Sequence, residues 1–96
     1  MVILTEDFVQ KTVIVGNQMG LHARVATVVV QTMRNYECQV TLAKDGMEVD
    51  ARSVLGLLLL AATPGSEIII KGNGPDSKSA VDSICKLIEI DENDDF

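Results

Sequence analysis

The run Gly20-Leu21-His22-Ala23-Arg24 holds the only histidine of the chain, two residues before an arginine. Imidazole titrates near neutral pH and has two distinct ring nitrogens, so one can offer a lone pair as nucleophile while the other keeps its proton. The guanidinium of Arg24 is a planar fork of donors that matches phosphate oxygens. At the start of a helix, where backbone amides lack partners and the dipole end is positive, such a pair forms an anion site. A cation in the first turn opposes the helix dipole by about 0.3–1 kcal/mol, and a bound anion reverses that sign. The chemistry open to this pair is acceptance of a phosphoryl group on His22 with Arg24 as its clamp. The plainer alternatives are a histidine that only caps a helix and an arginine that is merely exposed.

Other reactive residues point elsewhere. Ser53 precedes an unbroken apolar run and reads as a helix N-cap, worth about 1 kcal/mol, and phosphate at a helix N-terminus is electrostatically compatible with that role. Cys38 and Cys85 lack zinc-site spacing and are too few for a disulfide framework, so both read as reduced thiols in an apolar setting and favour a cytoplasmic location. Asp45, Glu48 and Asp50, and the acids of the tail, have no His or Cys partners and no calcium-loop spacing, so neither a metal nor another cofactor is expected. Gly72-Asn73-Gly74 is a turn and lacks the third glycine of a dinucleotide loop.

The elements that must position these residues follow from the switch between hydrophobic periods. Phe8–Val15 alternates as a strand with Val9, Lys11, Val13 and Val15 on one face and Lys11 near the edge. After the loop Gly16–Gly20, Ala26, Val29, Val30 and Met33 recur at helical spacing and predict a helix over about Ala23–Asn35. Two short strands alternate through Cys38, Val40 and Leu42 and through Met47, Val49 and Ala51, and Asp45-Gly46 suits the tight turn between them. A short helix starts after Ser53 and ends by Thr63-Pro64-Gly65. Glu67–Lys71 reads as a central strand apolar on both faces, and a last helix has Pro75 near its first position and Val81, Ile84, Cys85 and Ile88 on its inward stripe. The tail Asp91–Phe96 is nearly all acid and is expected to fray.

Each element has one apolar side to cover, and the order βαββαβα answers to an α+β open-faced sandwich: a four-stranded antiparallel sheet covered on one face by three helices. The 96 residues amount to one domain, with 47% apolar and only 3% aromatic residues, so its core is aliphatic. A formal net charge of -6 repels a phosphate backbone and speaks against nucleic-acid binding. The start MVILTEDFVQ has no basic region and two acids by position seven, unlike a signal peptide, and the apolar run Val54–Ala62 is about half of a bilayer span, so no membrane insertion is expected.

The motif GLHAR followed by Ala26-Thr27 resembles the active-site motif of the HPr family, the histidine-containing phosphocarriers of the bacterial phosphoenolpyruvate-dependent phosphotransferase system. Ala51-Arg52-Ser53-Val54-Leu55-Gly56, about thirty residues further on, is similar to the family's regulatory-serine segment, and the resemblance spans residues 8–90. It implies a carrier and not an enzyme in its own right: His22 accepts phosphate on Nδ1 from phosphorylated enzyme I and passes it to an EIIA-type acceptor, Arg24 and Ala23 stabilise it, and Gly20 and Leu21 form the active-site loop. It also implies a docking face of Thr27, Val54, Leu55 and Leu58, a kinase/phosphorylase acting on Ser53, and a monomeric working unit. One departure stands out, since the family has proline where this chain has Val25. Proline pre-sets the first turn and removes an amide, so Val25 is expected to restore a donor, loosen the turn and change the rate or partner preference of transfer. A regulatory interaction module controlled through Ser53 with little phosphotransfer is the alternative, and a small-ligand-sensing domain with a ferredoxin-like order of elements is a third reading.

Overall fold

The structure is a computed structural model that describes residues 8–89. The readings of the N-terminal stretch and of the acidic tail therefore lie outside the described residues. The elements are β1 (Phe8–Ile14), α1 (Ala23–Met33), β2 (Gln39–Lys44), β3 (Met47–Asp50), α2 (Val54–Leu59), β4 (Glu67–Asn73) and α3 (Ser77–Glu89). The four strands form one antiparallel sheet in the order β1-β4-β2-β3, and the helices pack on one of its faces. The expected α+β open-faced sandwich is what the chain adopts.

Local chemistry explains most element ends. Asp45 and Gly46, at φ 52 and 86, make the two-residue turn whose positive angles match the twist of the flanking strands. The first helix stops at Met33, two residues earlier than its periodicity predicts, because the amides of Arg34, Asn35 and Tyr36 close tighter i→i−3 turns on Gln31, Thr32 and Met33. Pro75 lies in the turn ahead of α3 and not at its first position: the first intrahelical bond runs from the Ala80 amide to the Asp76 carbonyl.

Two expectations about faces need correction. β4 is central, yet of its three isoleucines only Ile68 and Ile70 are buried, while Ile69 is half-buried on the sheet face that no helix covers. On α1 the inward stripe is Val25, Ala26, Val29 and Met33, with Val30 half-buried beside it. The aliphatic core sits between the sheet and these stripes, and α3 adds Val81, Ile84 and Ile88. A side chain at Gly72 of β4 would meet Val81 at 2.6 Å, so α3 lies directly on the strand.

Both cysteines are buried free thiols. Burial, aided by a hydrogen bond to Asp76, pushes the Cys38 thiol up to about 11, and burial also raises that of Cys85, so neither is poised as a thiolate. The edge strand β1 is tied to α3 by Lys11 and Asp82, with Lys78 on the same carboxylate. Hydrogen bonds from Lys11 and Lys78 hold the Asp82 carboxyl below its usual range. The stabilisation is thus complete above the ordinary carboxylate pKa and is lost as pH falls through the lowered one.

Candidate functional site

His22 is the N-cap of α1, with extended backbone (φ −97, ψ 179). Its carbonyl accepts the first helical bond from the Ala26 amide at 2.9 Å, and its Nδ1 accepts the Arg24 amide at 3.3 Å. The capping reading and the acceptor reading are therefore compatible. An Nδ1 that accepts a hydrogen bond carries no proton, so the neutral ring keeps its proton on Nε2 and directs a lone pair toward the first turn of the helix. The contact is long for a hydrogen bond and easily surrendered to a better electrophile. The amides of Ala23 and Arg24 belong to that first turn, which contains no acidic side chain, and the Arg24 side chain is exposed.

The loop before His22 is built tightly. Gly20 has φ +74, its amide donates to the Asn17 carbonyl at 3.0 Å, and its carbonyl accepts the His22 amide at 3.0 Å. Leu21 is buried and its amide donates to the Ala62 carbonyl at 2.9 Å, which ties the loop to the segment leaving α2. Val25 has no exposed surface, so the turn that lacks proline's fixed φ is held from inside by a side chain in the core.

Ser53 caps α2, its Oγ accepting the Gly56 amide at 2.9 Å. Before it, Arg52 donates to the carbonyls of Cys38 at 2.8 Å, Met33 at 3.2 Å and Tyr36 at 3.0 Å. The guanidinium thereby ties the end of α1 to the segment that leads into β2, a role the sequence motif did not reveal. Of the expected docking residues, Thr27, Leu55 and Leu58 are exposed, while Val54 is half-buried against the core. The expected docking set left out Leu59 and Met19, which are 60% and 74% exposed. A lone large apolar residue in the polar, glycine-flanked loop GNQMG was the signal for Met19. Among the described residues no three or more His, Cys, Asp or Glu side chains gather in a way that could hold a metal ion.

A family model described as "PTS HPr component phosphorylation site" matches residues 9–89. The phosphocarrier protein HPr of Xylella fastidiosa is 40% identical over 82 residues, which cover 85% of this chain and 92% of that protein. Among solved structures, a phosphocarrier protein HPr from Bacillus anthracis aligns with TM-score 0.81 and 34% identity over 84% of this chain and 96% of its own. Crh, a catabolite-repression protein of Bacillus subtilis solved as a dimer with a swapped domain, aligns with TM-score 0.69 and 33% identity over 76% of this chain and 86% of its own.

Proposed function

The chain belongs to the HPr family of phosphotransferase-system phosphocarriers, and from that premise we propose that it carries a phosphoryl group on Nδ1 of His22, taken from phosphorylated enzyme I and given to an EIIA-type acceptor. The observation that carries the proposal is the hydrogen bond that Nδ1 accepts from the Arg24 amide, which places it over the first turn of α1. In the transfer, the Nδ1 lone pair forms a bond to phosphorus as the donor's bond to phosphorus breaks and its electron pair leaves with the donor. The Arg24 amide, released from Nδ1, then donates to a phosphoryl oxygen, and the amide of Ala23, the Arg24 side chain and the positive end of α1 hold the added charge. Catalysis belongs to the partners; the chain supplies an accessible acceptor, works as a single copy in the cytoplasm and needs no cofactor. No helix among the described residues is long and apolar enough to cross a membrane.

The test is incubation with enzyme I and labelled phosphoenolpyruvate, followed by acid treatment. An acid-labile label supports the carrier, and no label rejects it. The cap position of Ser53 and the likeness to Crh favour a second reading, a regulatory module; an acid-stable label that requires Ser53, ATP and a kinase is its signature.

Docking is proposed on Thr27, Val54, Leu55 and Leu58, extended by Leu59 and Met19. The sequences of α1 and α2 contain one charged residue between them, Arg24, so apolar burial and not steering governs association. Leu55→Asp is expected to weaken enzyme I binding by about tenfold or more, the cost of losing an interface anchor, with an unchanged melting temperature. Calorimetry across a salt series should find the affinity of the parent chain nearly flat. Val25→Pro is expected to retain transfer but alter its rate with at least one partner by up to about tenfold, or 1.4 kcal/mol of barrier. Identical stopped-flow kinetics with both partners would remove any role for the missing proline.

A further inference from the structure

Asn17 and Ser77 are the two buried polar residues among those described, and nothing in the phosphotransfer scheme uses Asn17. Asn17 is only 5% exposed, yet both donors of its side-chain nitrogen are employed. Nδ2 donates to the Leu87 carbonyl at 3.2 Å and to the Ile88 carbonyl at 3.3 Å. These carbonyls lie in the last described turn of α3. The neighbouring Gly16 amide donates to the same Ile88 carbonyl at 2.9 Å. From this anchor the chain runs to the site in two steps: the Asn17 carbonyl receives the Gly20 amide, and the Gly20 carbonyl receives the His22 amide, each at 3.0 Å.

We infer that Asn17 is a positioning residue for phosphoryl acceptance: by bracketing residues 16–20 to the end of α3, it holds the imidazole of His22 with Nδ1 over the first turn of α1. The chemistry of the bracket is narrow. Two adjacent carbonyls ask for a group with two N–H donors on a short stem, which Asn provides. Aspartate has the same shape but turns acceptors toward acceptors, and alanine leaves both carbonyls without this donor in a largely buried site. The bracket lies on the α3 side of the loop, and the opposite side is held independently by the Leu21–Ala62 bond. Loss of Asn17 should therefore loosen the aim of His22 and leave the exposed side chains of α2 where they are.

The inference rests on His22 being the acceptor, and the experiment separates the two. Asn17→Ala, Asn17→Asp and the milder Asn17→Ser, which keeps one donor, are compared with the parent chain for enzyme I affinity, for phosphorylation rate at saturating phosphorylated enzyme I, and for the ¹⁵N shift of His22 Nδ1. Rates are normalised to the folded fraction measured by circular dichroism. The expected result is a rate reduced by about tenfold in the Ala and Asp variants, an intermediate rate for Ser, affinity within about twofold of the parent, and an Nδ1 shift moved toward that of a freely rotating imidazole. Wild-type saturated rates in the folded variants, or a loss seen only in affinity, would overturn the positioning role while leaving the acceptor in place. A parent chain that takes no label on His22 would overturn both. If Ala and Asp fail to fold, the Ser variant decides: an unchanged saturated rate and Nδ1 shift rule the bracket out.

Discussion

A chain carrying His22→Ala is expected to take up no acid-labile phosphate from enzyme I while remaining folded. The imidazole does two things at one place, accepting the Arg24 amide as a helix cap and presenting a nucleophilic nitrogen, and alanine removes both. The cap is the smaller loss. Replacing a good cap by alanine costs about 0.5–2 kcal/mol, and the 3.3 Å contact of His22 belongs at the low end of that range. For a domain of this size the melting temperature should then fall by only about 2–4 °C. His22→Asn separates the two roles, because asparagine is among the best N-caps and has no nucleophilic ring nitrogen. It should melt at or above the temperature of the parent chain and still take no label. Filter-bound label after neutral and acid quench, set beside calorimetric melting, reads both quantities. Acid-labile label surviving in either variant would place the acceptor elsewhere.

The second large effect is expected at Gly20. Its φ of +74 is disfavoured for any residue with a Cβ, at about 1–2 kcal/mol. The added atom would also stand 2.3 Å from the Ala62 carbonyl oxygen, backbone that cannot turn aside like a flexible side chain. That carbonyl is the acceptor of the Leu21 amide, so relief of the clash strains or breaks a bond worth about 0.5–1.5 kcal/mol and shifts the residue next to His22. Gly20→Ala should therefore lose about 1.5–3.5 kcal/mol, and phosphorylation should slow at temperatures where the variant is still folded. Gly65→Ala is the control. Gly65 has a similar φ of +88, but nothing lies within 4 Å of where its Cβ would be, so only the conformational cost applies. Denaturant unfolding of the pair isolates the contact with Ala62; equal losses at both positions would show that the loop yields without cost.

These two residues mark the boundary between what could be read along the chain and what could not. The capping positions of His22 and Ser53 were legible because they rest on backbone groups within four residues: an N-cap meets the amides of its own first turn whatever the rest of the fold does. The Asp45-Gly46 turn was legible for the same reason. Val25 was missed as a core residue because a helix shows which stripe is apolar but not how the stripe is rotated against the sheet, and that rotation buries Val25 and leaves Val30 at the margin. Leu55, Leu58 and Leu59 could not be told from Leu57 and Leu60 within an unbroken apolar run; only packing on β3 and α1 decided which faced water.

What the sequence determined by itself is the order of elements, the aliphatic character of the core, and the placing of a lone histidine at a helix start beside an arginine. These are matters of local backbone preference and side-chain period, which act over one or two turns. Only the tertiary structure decided that the loop before His22 is bracketed, by Asn17 to the last turn of α3 seventy residues away and by Leu21 to the Ala62 carbonyl. It likewise decided that Arg52 ties the end of α1 to the segment leading into β2 through the carbonyls of Met33, Tyr36 and Cys38. A buried carbonyl accepts whichever donor the fold brings to it, and the identity of that donor depends on the registry of distant segments that no local pattern encodes.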